Sequence, residues 1–282
     1  MLCLNCLHTV ERLHHKRCCR GIRLCRNSQL ALDHWRHNIP VLGRTHEVHA
    51  IDLLGFGRSA KPAELAYGGV LWRDQLVSYV RDRIGRPTVI AGNCLGGFFA
   101  LAAGAALADD CAGVVLLNPA GPFSDEQKPP TGWGAIARQT IGSALLRSPM
   151  LQRLLFENLR RPATIRRTLN HYYADKTNVD EWLVESIRRP SHDPGTFKVF
   201  RAFFDIPHEQ PFDELFAELT APLLLLWGIR ESDSNILGIR IKYRFHAPEA
   251  TTEVLLDAGH CPHDEVPDQV NAALLNWLAG LS

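Results

Sequence analysis

No apolar run in the chain approaches the roughly 20 residues that span a bilayer, so no transmembrane segment is expected. Charge of one sign is lacking too: a net charge of +1 over 282 residues argues against nucleic acid or another polyanion as the main partner. There is no internal repeat, which leaves one large domain, or a core with an insert, long enough to bury a sizeable apolar interior. Cysteine is scarce beyond the first 25 residues. Of the eight cysteines, Cys3, Cys6, Cys18, Cys19 and Cys25 crowd the start, and only Cys94, Cys111 and Cys261 follow. That distribution is no disulfide framework, and a reducing compartment fits it better.

Acidic residues are nearly missing from the same opening stretch. Residues 1–28 carry Arg12, Lys16, Arg17, Arg20, Arg23 and Arg26 against Glu11 alone. Arg-rich, acid-poor leaders direct proteins to organelles, but Ser28 is the only serine here. Cys3-x-x-Cys6 has the spacing of half a zinc site, yet the distance to Cys18-Cys19 is irregular, and no metal is expected. The stretch reads as an atypical Cys/Arg-rich segment set apart from the body.

From His46 strand-like and helix-like stretches alternate. Val48-His49-Ala50-Ile51-Asp52 reads as a strand, and the apolar spacing over Leu71–Ile84 suits a helix. Thr88-Val89-Ile90-Ala91 and Gly113–Leu117 are short apolar runs of the kind that form buried strands. Over residues 122–212 helical runs take over, at Ile136–Leu146, Met150–Leu159 and Val179–Ile187, punctuated by Pro129, Pro130, Pro162, Pro190 and Pro194. Strand signals return at Leu223–Trp227 and Thr252–Leu256, before an amphipathic helix at about Pro267–Leu278. The pattern predicts an α/β fold, a mostly parallel sheet covered by helices, with its core in 29–121 and 213–282 and a helical lid inserted at 122–212.

The chemistry concentrates at Gly92-Asn93-Cys94-Leu95-Gly96-Gly97. It lies between the strand-like run and Phe98–Leu107, which is rich in helix-compatible Ala, Phe and Leu. A sharp strand-to-helix turn needs small residues around its reactive side chain, and Gly92 and Gly96 supply them. Such a nucleophile elbow lifts Cys94 clear of the sheet at a helix N-terminus, where unpaired N–H groups and the helix dipole favour a thiolate. An elbow nucleophile calls for an acid and then a histidine downstream. His260, after Gly259 on the loop that follows the last strand, is the expected base; His263, beside Asp264 and Glu265, is expected to brace that loop. Glu231 and Asp233, after Trp227-Gly228, both qualify as the acid.

On these residues the chain resembles the α/β-hydrolase superfamily, and within it the plant and cyanobacterial branch that includes pheophytinase-like hydrolases. The resemblance is carried by His34-Trp35-Arg36-His37-Asn38-Ile39-Pro40, by Asp52-Leu53-Leu54-Gly55-Phe56-Gly57-Arg58-Ser59-Ala60-Lys61-Pro62 and by the cysteine turn. It continues through Leu116-Leu117-Asn118-Pro119-Ala120-Gly121-Pro122-Phe123-Ser124, Arg188-Arg189-Pro190-Ser191-His192-Asp193-Pro194-Gly195 and Ala258-Gly259-His260-Cys261-Pro262-His263-Asp264-Glu265. It runs from about residue 30 to the end. It implies hydrolysis of an ester or related acyl bond of a small, apolar molecule, without metal or organic cofactor, with the Leu95 N–H in the oxyanion hole. It also suggests a chloroplast location, with the cytoplasm as the alternative.

Three departures stand out. The branch usually has serine where this chain has Cys94, although some members of the superfamily, such as dienelactone hydrolases, use cysteine. Its W-G-x-x-D-P pattern puts the acid at Glu231, with Ser232 in place of proline, and leaves Asp233 as the other candidate. Its second oxyanion donor comes from an H-G-x-G-type loop before His34-Trp35, and no H-G pair occurs there. By resemblance the first three strands are missing or replaced, and the third would sit inside the sheet. Either Leu2–Leu7 or Ile22-Arg23-Leu24-Cys25 fills that gap or the domain is compromised, since an unpaired buried backbone group costs about 1–3 kcal/mol. The competing expectation is a non-catalytic member that binds a small apolar ligand. Trp133, Trp182, Phe200, Phe203 and Phe204 in the lid suit either a pocket lining or simple packing.

Overall fold

The structure, a computed structural model, describes residues 23–27, 32–126, 148–205, 210–231 and 236–281, with backbone alone for 23–27, 32–33 and 203–205. In chain order the elements are β1 (Arg23–Asn27), α1 (Ile39–Leu42), β2 (Glu47–Ile51), α2 (Gly69–Tyr79), β3 (Thr88–Asn93), α3 (Leu95–Leu107) and β4 (Cys111–Leu117). Then come α4 (Pro149–Leu159), α5 (Pro162–Tyr172), α6 (Glu181–Arg188), α7 (Thr196–Asp205) and α8 (Phe212–Glu218). The chain closes with β5 (Leu223–Gly228), α9 (Ile236–His246), β6 (Thr251–Leu256), the one-turn α10 (Pro262–Glu265) and α11 (Pro267–Ala279).

Among the described residues six strands form one parallel sheet in the order β2-β1-β3-β4-β5-β6. The gap beside β3 is filled by Arg23–Asn27: Leu24 stands opposite Val89 on one side and Val48 on the other. That strand comes from within the segment the sequence set apart as 1–28. The alternative, Leu2–Leu7, lies outside the described residues. The chain runs from β1 to one side, into β2, and then crosses to the other side for β3. The strand order therefore reverses between β1 and β3, the place where an open parallel sheet offers a crevice at its carboxyl ends.

The central strands are apolar throughout because both faces are covered, as a parallel sheet requires. Ile90, Val114, Leu116, Leu223 and Leu225 face α2, α3 and α8, packing with Trp72, Phe98 and Phe212. Val89, Ala91, Val115, Leu117, Leu224 and Leu226 face the other way, toward Trp35, Leu42 and the α11 residues Val270, Leu274 and Leu278. Each such Leu or Val contributes on the order of 1.5–3 kcal/mol by leaving water.

Between β4 and α8 the described chain is helical. Pro149 and Pro162 occupy the first turns of α4 and α5, where the missing N–H costs no helical bond. Ile165, Leu169, Tyr173, Val179, Leu183 and Val184 form a small core of their own that also receives Cys261. The expected helix at Ile136–Leu146 lies outside the described residues.

Candidate active site

β3 ends at Asn93 and α3 begins at Leu95, so one residue, Cys94, makes the whole turn with φ 55° and ψ −128°. A non-glycine residue holds such angles only where its surroundings over-determine them. Here the Cys94 N–H donates to the Leu117 carbonyl at 3.0 Å, and its own carbonyl accepts from Gly97 at 2.9 Å and Ala120 at 3.2 Å. Gly92 is required by close approach: a Cβ there would lie 2.1 Å from the Gly96 carbonyl oxygen. Leu95 and Gly96 open α3, where helix geometry leaves N–H groups without intrahelical acceptors. The Cys94 thiol is partly exposed, whereas Cys111 and Cys261 are buried.

His260 stands on the loop after β6, near enough to Cys94 for the two side chains to interact electrostatically. Its Nδ1 lies 2.7 Å from Glu231 Oε1. Burial opposes protonation of this imidazole, but its interactions with Cys94 and Glu231 outweigh it and raise its pKa to about 10. The loop is fixed from several sides. The His260 N–H donates to the Tyr172 carbonyl at 2.9 Å, and Asn93 Nδ2 donates to the His260 carbonyl at 2.9 Å. The Tyr172 ring lies 5.2 Å from the imidazole, centroid to centroid.

Glu231 follows β5. Its neighbour Arg230 pairs with Asp257 on the surface, while the Glu231 carboxylate turns inward to His260 and to Asn118, whose Nδ2 donates to Oε2 at 2.8 Å. Asp233 lies outside the described residues, as do Trp133 and the stretch after β1 where the resemblance put the second oxyanion donor. Cys94, Leu95, His260 and Glu231 thus come together at the carboxyl ends of β3, β5 and β6.

His263 is not part of that group. It is buried, 3.2 Å from His34 through Nε2 and Nδ1, with its ring 4.2 Å from that of Trp35. His34 in turn shares a 2.7 Å hydrogen bond with the Tyr173 hydroxyl, which donates to Asp264 at 3.0 Å. Glu265 accepts the backbone N–H groups of Gly259 and Ala174. These contacts tie the end of α5 to the histidine loop. Among the aromatics expected to line a lid, Trp182 is half exposed under the Arg36 guanidinium and Phe200 packs on Phe156. The side chains of Phe203 and Phe204 lie outside the described residues.

Asn118, Asn93 and Tyr172 were not singled out by sequence reasoning. An asparagine closing an apolar strand reads as a turn residue, and nothing local says that its amide reaches a loop over a hundred residues away. Among the described residues, no cluster of three or more His, Cys, Asp or Glu side chains is arranged to hold a metal ion. An open groove of about 720 Å³ between β5, β6 and α11, lined by Leu224, Val254 and Trp277, shares no residue with the Cys94 group.

Comparison with known proteins gives a consistent picture. A family model described as "Alpha/beta hydrolase family" matches residues 31–273. The chain is 29% identical to the chloroplastic pheophytinase of Arabidopsis thaliana over 287 aligned residues, covering 88% of this chain but only 59% of that protein's length. It is 27% identical to a 2-hydroxymuconate semialdehyde hydrolase of Pseudomonas putida, covering 84% of this chain and 78% of that one. Among solved structures, a meta-cleavage product hydrolase from Pseudomonas fluorescens superposes with a TM-score of 0.72 at 20% identity, covering 94% of this chain and 93% of that one. A thermophilic esterase from Thermogutta terrifontis gives 0.69 at 22%, covering 93% and 90%.

Proposed function

This chain belongs to the alpha/beta hydrolase family, and from that premise we propose that it hydrolyses an ester or related acyl bond of a small molecule through Cys94, His260 and Glu231. The observation that carries the reading is the 2.7 Å contact of His260 with Glu231 beside Cys94, which stands on a positive-φ turn at a helix N-terminus. Read as a nucleophile elbow, the turn presents Cys94 to a carbonyl carbon, and the thiol proton passes to His260 as the sulfur attacks. Attack forms a tetrahedral intermediate whose oxyanion meets the Leu95 N–H at the start of α3. Collapse expels the alcohol, which takes a proton from His260, and leaves an acyl-thioester on Cys94. Water then gives its proton to His260, attacks the thioester and releases the acid. Glu231 holds the imidazole tautomer and stabilises the imidazolium throughout.

Helices α4–α7 act in this account as a lid over the site, and the Tyr172 ring beside His260 supports an apolar wall there. Similarity to a chloroplastic protein supports a chloroplast location, with the cytoplasm as the alternative; no helix among the described residues is long and apolar enough to cross a membrane. The second reading, a fold that binds an apolar ligand without turning it over, is favoured by one observation: no H-G pair precedes His34 to supply the second oxyanion donor.

Steady-state hydrolysis of p-nitrophenyl acetate and octanoate by Glu231→Gln and Asp233→Asn variants tests the assignment. Glu231→Gln is expected to lower kcat roughly a thousandfold or more, as loss of the orienting acid does in other triads. Asp233→Asn is expected to leave it unchanged. The reverse result moves the acid to Asp233, and no turnover by the unaltered protein favours the binding reading.

A further inference from the structure

The two carboxylate oxygens of Glu231 have separate partners. Oε1 faces His260 Nδ1 at 2.7 Å, and Oε2 accepts from Asn118 Nδ2 at 2.8 Å. The rest of the Asn118 amide is bound to the strand end that launches the Glu231 loop. Its Oδ1 accepts the Gly228 N–H at 2.7 Å, and Nδ2 also reaches the Gly228 carbonyl at 3.1 Å. Asn118 itself is buried at the end of β4, with φ 36° and its backbone N–H on the Leu226 carbonyl at 3.1 Å. Asparagine tolerates that left-handed conformation better than most side chains do, and the conformation turns its amide across the carboxyl end of β5.

A glutamate needs this more than an aspartate does. Its additional side-chain torsion gives the carboxylate more rotamers, and in most of them Oε1 leaves His260. A donor fixed on a rigid strand end selects the rotamer in which one oxygen is anchored and the other is presented to the imidazole. We propose that Asn118 is a positioning residue that locks the Glu231 side chain so that one carboxylate oxygen faces His260. The inference rests on the reading of Glu231 as the acid.

The test titrates the His260 imidazole by NMR in the unaltered protein and in Asn118→Gly, Asn118→Asp and Glu231→Gln, with kcat and KM for p-nitrophenyl acetate alongside. His260 is faced by Cys94, Glu231 and the Tyr172 ring, with His34 within electrostatic reach, and none of these is altered in the two Asn118 variants. Glycine keeps the backbone angles of position 118 and removes the clamp. In Asn118→Gly the imidazole midpoint is expected to fall by about one pH unit, and kcat about tenfold with KM unchanged, the order expected for one orienting hydrogen bond. Asn118→Asp keeps the acceptor for Gly228 and sets a second carboxyl against Glu231. Its activity is expected to recover as the pH falls and the introduced carboxyl takes up a proton, because it then donates as the amide did. Unchanged midpoint and kcat in both Asn118 variants would overturn the proposal. So would an Asn118→Asp profile parallel to the unaltered one, which decides the matter if Asn118→Gly does not fold. A midpoint unmoved in Glu231→Gln would instead sink the reading of Glu231 as the acid.

Discussion

Gly228 and Gly259 meet backbone to backbone: a Cβ on Gly228 would lie 1.8 Å from the Gly259 carbonyl oxygen. The two glycines sit just ahead of the loops that carry Glu231 and His260. Hydrogen bonds from Ile229 to Leu256 at 3.0 Å and from Arg230 to Ala258 at 2.9 Å lace the same stretch together. The separation of Glu231 from His260 is thus set by main chain, not by the two side chains alone. Gly228→Ala is expected to force the loops apart. It should cost about 1–3 kcal/mol, the usual range for overpacking, and lower ester turnover more than the loss of folded protein explains. Thermal unfolding and kcat on the same samples check this.

Two histidines give stability opposite slopes with pH. His34 is wholly buried, and burial, moderated by Asp264 and reinforced by Arg36 and His260, lowers its pKa from 6.5 to about 4. Below pH 6.5 the unfolded chain binds a proton there that the folded protein refuses. The stability is therefore complete above pH 6.5 and lost as the pH falls toward 4, at about 1.4 kcal/mol per unit and so roughly 3 kcal/mol in all. His260 runs the other way: its folded pKa is raised to about 10, so its contribution is complete below 6.5 and lost as the pH rises toward 10. Denaturant unfolding from pH 4 to 10 is expected to peak near 6.5. His34→Gln should flatten the acid limb alone and His260→Gln the alkaline limb alone.

Tyr173, just after α5, joins the inserted helices to the rest of the fold through one hydroxyl bonded to both His34 and Asp264. Burial, with the charges of its neighbours, raises its pKa far above the ordinary range, so it remains a donor. Tyr173→Phe leaves two buried polar groups short of a partner, at about 1–3 kcal/mol each. Limited proteolysis is expected to cut faster within α4–α7 in that variant, while the sheet stays protected. Equal cleavage rates would mean that the hydroxyl does not hold these helices in place.

Cys94→Ser replaces sulfur by oxygen within the same turn. Because the backbone bonds to Leu117, Gly97 and Ala120 do not involve the side chain, the turn is expected to persist. Ester turnover should stay within about tenfold of the unaltered protein, a barrier change of about 1.4 kcal/mol. Inactivation by iodoacetamide should vanish.

Much of the fold was legible because its central strands are uninterrupted apolar runs. β3, β4 and β5 needed only the knowledge that both faces are covered. β1 was harder. Arg23-Leu24-Cys25-Arg26-Asn27 has no strand-like alternation, and its place comes from pairing with Val48 and Val89, partners distant in sequence. α5 and α7 escaped notice because prolines at 162, 190 and 194 read as breaks, although Pro162 in fact starts a helix. At the site, the glycine-flanked cysteine and the final loop histidine could be picked from local pattern and chain order. Asn118 could not, because its role exists only once β4 and β5 lie side by side. The direction of the Glu231 side chain, toward His260 and Asn118, was not legible either, and Asp233 lies outside the described residues.

Whether Cys94 is a nucleophile served by His260 is read from the intact mass of the protein after brief exposure to p-nitrophenyl acetate. One acetyl group on the unaltered protein, absent from Cys94→Ala and formed more slowly in His260→Ala, is the predicted result. No adduct, or an adduct that persists in Cys94→Ala, would contradict it.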